Sequence, residues 1–160
     1  MKTPINRIQA FLFDMDGTLY LGNRPISGVS QALEKIRKGG RKICFLTNNS
    51  SKGPQDYLEK LESLGIKADL QEILTSGEVA ASWLRNKGIQ TVYLLGTPSL
   101  ETIFYEHGFH IAEQEKPEMV VLGFDTTLTY DKLKQACLWI QKGVPWMATH
   151  PDLVCPSEEG

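Results

Sequence analysis

The stretch Ile8 to Gly22, reading IQAFLFDMDGTLYLG, constrains the fold more than any other part of the chain. Its first half is a near-continuous apolar run of Ile8, Ala10, Phe11, Leu12 and Phe13. Such a run suits a strand buried on both faces of a parallel sheet better than a one-sided strand. It stops at two aspartates, Asp14 and Asp16. Open α/β sheets bind ligands outside the carboxyl ends of their strands, so these carboxylates fall where chemistry is expected. Residues two apart in extended chain share a face at about 7 Å, close enough to converge on one small cation or one reacting group. Gly17 then lets the chain bend away.

Other readings compete for the same residues. An Asp-Gly pair between the apolar alternations FLFD and TLYL is a hairpin signal, which would make both aspartates turn residues. A calcium loop of the EF-hand type is excluded, because it needs Gly at its sixth position and Glu at its twelfth, where this chain has Leu19 and Pro25. A phospho-accepting signalling domain would take its modified Asp from the end of the third strand. Here that strand ends in Thr75 and Ser76.

The remaining text alternates strand and helix signals. Ser27 is placed to cap a helix carrying Val29, Leu33 and Ile36 at helical spacing, ended by Gly39-Gly40. The short apolar strand Ile43 to Leu46 delivers Thr47, Asn48, Asn49, Ser50 and Ser51 into a turn, and Pro54 opens a helix with Leu58, Leu61 and Leu64, stopped by Gly65. A cluster of hydroxyl and amide groups between a strand end and a helix start offers donors for an anion, though such residues also serve as plain caps. Ile73 to Thr75 reads as a third strand, with Ser76 capping the helix that follows. Strands and helices in alternation imply right-handed crossovers and a parallel sheet. From Thr91 a second series begins: strand Val92 to Leu95, a helix opened by Thr97 and Pro98, strand Met119 to Leu122, a helix from Tyr130 to Gln141, and strand Trp146 to Thr149. Taken alone, this series could continue the first sheet. Asp125 has Thr127 rather than a carboxylate two residues on, so it reads as a strand-end or capping residue.

Composition narrows the partners. The 160 residues, 41% hydrophobic and 22% charged with net charge −2, describe a globular chain without a basic footprint for nucleic acid or an acidic membrane surface. Small molecules are the expected partners. No apolar run approaches the roughly 20 residues of a membrane span, and the amino terminus lacks a signal-peptide core, so a cytoplasmic location is expected. Cys44, Cys137 and Cys155 lack metal-ligand spacing and read as reduced thiols, two of them packed in the core.

At Asp14-Met15-Asp16-Gly17-Thr18-Leu19 the chain resembles the first motif of the haloacid dehalogenase-like (HAD) hydrolase superfamily. With FLTNNSS (Phe45 to Ser51), ILTSGE (Ile73 to Glu78), VYLLGTP (Val92 to Pro98), VVLGFD (Val120 to Asp125) and ATHPD (Ala148 to Asp152), it is similar to the NagD and 4-nitrophenylphosphatase branch. The resemblance implies an α/β fold: a doubly wound, parallel-sheet, Rossmann-like core with an inserted α/β cap. It assigns residues 1–87 to the core and 88–160 to the cap. It also implies a Mg2+-dependent phosphomonoester hydrolase for a sugar phosphate, a nucleotide or 4-nitrophenyl phosphate. Asp14 would be the nucleophile that forms an aspartyl-phosphate. The Asp14 side chain and the Asp16 backbone carbonyl would hold Mg2+, and the Asp16 carboxyl would act as general acid, then base. Gly17, Thr47, Asn48 and Asn49 would bind the phosphate.

The family's third-motif lysine and fourth-motif acidic strand end have no counterpart in the sequence. Core and cap are both expected to be incomplete, with the opening strand at an open edge and little or no activity in the 160-residue chain alone. A phosphotransferase or mutase of the same superfamily and a non-catalytic anion-binding module are the alternatives, and a homo-oligomer stays open.

Overall fold

A computed structural model describes residues 7–152. The first part runs β1 (Ala10–Asp14), the short pair β2 (Tyr20–Leu21) and β3 (Arg24–Pro25), α1 (Val29–Lys38), β4 (Lys42–Thr47), α2 (Pro54–Ser63) and β5 (Ile73–Thr75). Three of these strands form a sheet in the order β1-β4-β5. β1 and β4 are parallel, with Phe11 opposite Ile43 and Asp14 opposite Leu46. Parallel neighbours need a crossover, and α1 provides it.

The first core gathers Met15, Leu19, Tyr20, Leu33, Phe45, Tyr57 and Leu61, all buried. α1 contributes Leu33 and α2 contributes Tyr57 and Leu61, as their helical spacing requires. Two sequence expectations change here. The residue before α1 is Gly28 in the left-handed region, with no side-chain cap, so Ser27 does not cap the helix. β1 is not buried on both faces. Phe13 packs against the core, whereas Leu12, on the opposite face of the pleat, is 67% exposed. The strand lies at the edge of its sheet, as expected.

The second series runs α3 (Ser76–Asn86), β6 (Thr91–Leu95), α4 (Pro98–Glu106), β7 (His110–Ile111), β8 (Met119–Leu122), α5 (Tyr130–Gln141) and β9 (Trp146–Ala148). Its four strands form a separate sheet, ordered β7-β6-β8-β9, and every neighbouring pair is parallel. The apolar run of β6 is buried on both faces. Val92 and Leu94 pack with Leu100, Ile103 and Phe104, while Tyr93 and Leu95 pack with Ala136 and Trp139. Its helices are capped by threonines. Thr97 accepts from the Leu100 N–H ahead of Pro98, and Thr129 accepts from Lys132. α3 is capped by Thr75 in a capping box with Glu78, one residue before the expected Ser76.

By their contacts the residues group into two compact units, 7–47 with 54–74, and 48–53 with 75–152. Neither described cysteine is fully buried: Cys44 is partly covered and Cys137 is exposed, so the expectation of two core thiols fails for both, and Cys155 lies outside the described residues. Among the described residues no helix is long and apolar enough to cross a membrane.

Candidate active site

β1 carries Asp14 to its carboxyl end, and the chain then folds back on itself within six residues. Met15 is fully buried, whereas Asp14 and Asp16 on either side of it are exposed. The two-residue alternation of extended chain thus leaves both carboxylates on the open side of the strand end. The turn is closed by backbone bonds from Leu19 N–H to the Met15 carbonyl at 2.9 Å and from Gly17 N–H to the Tyr20 carbonyl at 2.8 Å. Gly17 takes φ +81°, a conformation a side chain resists. Thr18 reaches back and donates its hydroxyl to an Asp14 carboxylate oxygen at 3.2 Å. The hairpin that Asp16-Gly17 could have made between FLFD and TLYL does not form: β1 pairs in parallel with β4, and the antiparallel pair β2–β3 turns instead at Gly22 and Asn23.

Thr47 ends β4 and is buried, one residue past Leu46, the partner of Asp14 across the parallel ladder. Asn48 and Asn49 follow it directly and group with the second unit. There the Asn48 carbonyl accepts from the Ser76 hydroxyl at 2.8 Å, and the Asn48 amide donates to the Asp152 carboxylate. Asn49 Oδ1 accepts from the Ser51 N–H at 2.9 Å and the Ser51 hydroxyl at 2.7 Å. Ser50, fully buried, accepts from Phe124 N–H at 2.9 Å and shares a bond with the Thr149 hydroxyl at 2.9 Å. These contacts tie residues 48–53 to the carboxyl ends of β8 and β9.

Sequence reasoning overlooked one charged neighbour of Asp16. Lys60, in the last turn of α2, places its ammonium 3.6 Å from Asp16 Oδ1 and 4.1 Å from the centroid of the Tyr20 ring. The available signal was its position three residues after Tyr57 on the buried side of α2. Tyr20 itself is fully buried beside Asp16. Burial, then the Asp16 charge, pushes its phenol far above the ordinary tyrosine range, so it stays a neutral hydroxyl.

Asp125 is accounted for locally. One of its oxygens accepts from the Thr127 N–H at 2.8 Å and the Thr127 hydroxyl at 2.7 Å, and the other faces Lys132 Nζ at 3.2 Å. That leaves it the turn-forming role read from the sequence.

Among the described residues no three Asp, Glu, His or Cys side chains converge on a metal position. Mg2+, however, is commonly held by one or two carboxylates with waters and substrate oxygens completing the shell. The exposed Asp14 carboxylate and the nearby Asp16 backbone carbonyl are hard oxygen donors of that kind.

A family model described as haloacid dehalogenase-like hydrolase matches residues 11–110, which include all but the first residue of β1, the double-aspartate turn and Thr47. The chain belongs to the haloacid dehalogenase-like hydrolases. An acid sugar phosphatase of Staphylococcus haemolyticus is 35% identical over 153 residues, 95% of this chain and 58% of that protein. The 4-nitrophenylphosphatase of Thermotoga maritima superposes with a TM-score of 0.92 at 44% identity, over 97% of this chain and 59% of that one. A glycerol phosphate phosphatase of Mycobacterium tuberculosis, solved with magnesium, superposes with a TM-score of 0.88 at 29% identity, over 96% and 47%. This haloacid dehalogenase-like chain thus spans about three fifths or less of the length of these relatives. The doubly wound parallel fold and the branch inferred from the motifs are both borne out.

Proposed function

We propose that the protein is a Mg2+-dependent phosphomonoesterase for small phosphorylated metabolites, sugar phosphates foremost, located in the cytoplasm. The observation that carries this reading is the pair of exposed carboxylates, Asp14 and Asp16, flanking buried Met15 at the carboxyl end of a parallel strand. Phosphatase names among the relatives support it, and the sugar phosphatase supports the substrate class.

In the first step an Asp14 oxygen attacks phosphorus, forming the aspartyl-phosphate as the bond to the leaving oxygen breaks. Asp16 gives its proton to that oxygen, so the substrate leaves as an alcohol. In the second step Asp16 takes a proton from water as the water oxygen attacks the same phosphorus. Inorganic phosphate leaves and the Asp14 carboxylate is restored. The Thr47 hydroxyl and the backbone N–H of Asn48 donate to phosphoryl oxygens as charge develops, with Asn49 beside them. Gly17, having no side chain, leaves room for the phosphate near the turn. Mg2+, held by the Asp14 carboxylate and the Asp16 carbonyl, supplies neutralisation of phosphate charge. The Thr18 hydroxyl, donating to an Asp14 oxygen at 3.2 Å, limits rotation of that carboxylate.

The test, like every activity measurement below, uses a form of the protein that carries the third- and fourth-motif residues, since the 160 residues alone should turn over little or nothing. Phosphate release from a panel of sugar phosphates, nucleotides and 4-nitrophenyl phosphate is followed, with and without Mg2+, for that form and its Asp14→Asn variant. Metal-dependent turnover that Asp14→Asn abolishes is the expected result. Turnover that survives the substitution overturns the reading.

A further inference from the structure

The turn that holds Asp16 is braced from outside by a residue to which none of the family motifs assigns a role. Lys60 approaches it from α2, its ammonium 4.1 Å from the Tyr20 ring centroid and 3.6 Å from Asp16 Oδ1. The two side chains differ in freedom: Lys60 is 23% exposed and Asp16 is 42% exposed. A lysine stem is flexible, but here it lies along a fully buried aromatic whose face attracts its charge. The ammonium is thereby fixed in place. The backbone at Asp16 is held by the turn, through the Gly17 N–H to Tyr20 carbonyl bond at 2.8 Å, which leaves the side-chain torsions as its remaining freedom.

The separation matters as well. At 3.6 Å the pair is ionic but longer than a hydrogen bond, so Lys60 directs the carboxylate without occupying a lone pair needed for proton exchange. A partly exposed ion pair of this kind adds little to stability.

We propose that Lys60 is a positioning residue for Asp16, holding the carboxyl group in the single orientation from which it exchanges a proton with the leaving oxygen. This rests on the reading of Asp16 as general acid and base. Proton transfer requires a donor within hydrogen-bond reach of the leaving oxygen, so a carboxyl spread over several rotamers is a poorer acid even when its chemistry is unchanged. Leaving groups that depart readily as anions need that acid least.

Two variants separate positioning from plain packing. Lys60→Met keeps the stem over Tyr20 and removes the charge, and Lys60→Arg restores a cation. The first readout is the Asp16 side-chain rotamer from three-bond couplings to Cγ in the labelled protein. Wild type and Lys60→Arg should show one rotamer, and Lys60→Met should show averaged couplings with an unchanged melting temperature. The second is kcat with two substrates. Lys60→Met should lose about 10-fold with glycerol phosphate and less than about threefold with 4-nitrophenyl phosphate, with Lys60→Arg recovering most of the loss. A single Asp16 rotamer in Lys60→Met overturns the proposal, as does an equal loss with both substrates. Should Asp14→Asn leave turnover intact, the hydrolase reading falls, and the couplings still decide whether Lys60 orients Asp16.

Discussion

The Thr18 hydroxyl and the Asp14 carboxylate meet at 3.2 Å across a turn whose third residue, Gly17, sits at φ +81°. An added Cβ at Gly17 would meet nothing within 4 Å, so a side chain there faces backbone strain and no collision. Gly17→Ala should cost about 1 kcal/mol of stability in urea unfolding, the ordinary penalty for a left-handed non-glycine residue. A variant as stable as wild type would show that the turn relaxes freely.

The leaving group should report the role of Asp16. Asp16→Asn removes a proton donor of the kind worth about 10²- to 10⁴-fold, so kcat should fall in that range with glycerol phosphate and by less with 4-nitrophenyl phosphate, whose phenolate leaves unaided. Thr47→Val, which keeps shape and deletes one phosphate donor, should fall between wild type and Asp16→Asn. Steady-state rates with both substrates check the order, and equal losses for Asp16→Asn on the two would remove Asp16 as the acid.

Burial makes β1 and β4 respond differently to truncation. Leu12 is 67% exposed, so Leu12→Ala should cost less than about 0.5 kcal/mol, within the range of surface changes. Phe45, across the ladder and fully buried, should cost about 3–5 kcal/mol as Phe45→Ala. Urea midpoints of the two variants test the contrast, and similar losses would mean that the exposed face of β1 is covered in solution.

Acid should weaken the second unit through Glu118. Its carboxylate accepts the Gln90 and Thr91 N–H groups at 2.7 and 2.8 Å. These bonds hold its folded pKa below the ordinary 4.5. A lowered folded pKa means that the stabilisation is complete above the unfolded value and is lost as pH falls through the folded one. The stability gap between wild type and Glu118→Gln should therefore be full at pH 7 and shrink once pH drops below about 4.5. A gap that stays constant down to pH 3 would contradict this.

Much of the fold was legible because strand and helix signals were local. Met119–Leu122 and Tyr130–Gln141 form where apolar runs, threonine caps and terminating glycines place them. β6 is buried on both faces as an apolar run in a parallel sheet should be, whereas the similar run of β1 is not, since burial depends on what packs above and below and the run cannot encode that. The pair Tyr20–Leu21 and Arg24–Pro25 was too short to register as strands. In the candidate site, Asp14, Asp16, Gly17 and Thr47 were pointed to by the resemblance of their motifs to the family's. Lys60 could not, because its meaning comes from a tertiary approach to Tyr20 and Asp16 across some 40 residues of chain. Ser50 was visible only as part of a hydroxyl cluster, and its two partners, Phe124 and Thr149, lie 74 and 99 residues away in sequence.

Hydrolysis by this route requires a phosphorylated Asp14, and trapping that species is the decisive measurement. The protein, mixed with Mg2+ and a phosphomonoester and quenched in acid within milliseconds, should yield a peptide containing Asp14 that carries one phosphoryl group. Borohydride reduction should convert that residue to homoserine, and Asp14→Asn should show neither product. Phosphate release without any phosphorylated Asp14, or with the phosphoryl group on another residue, would contradict the account.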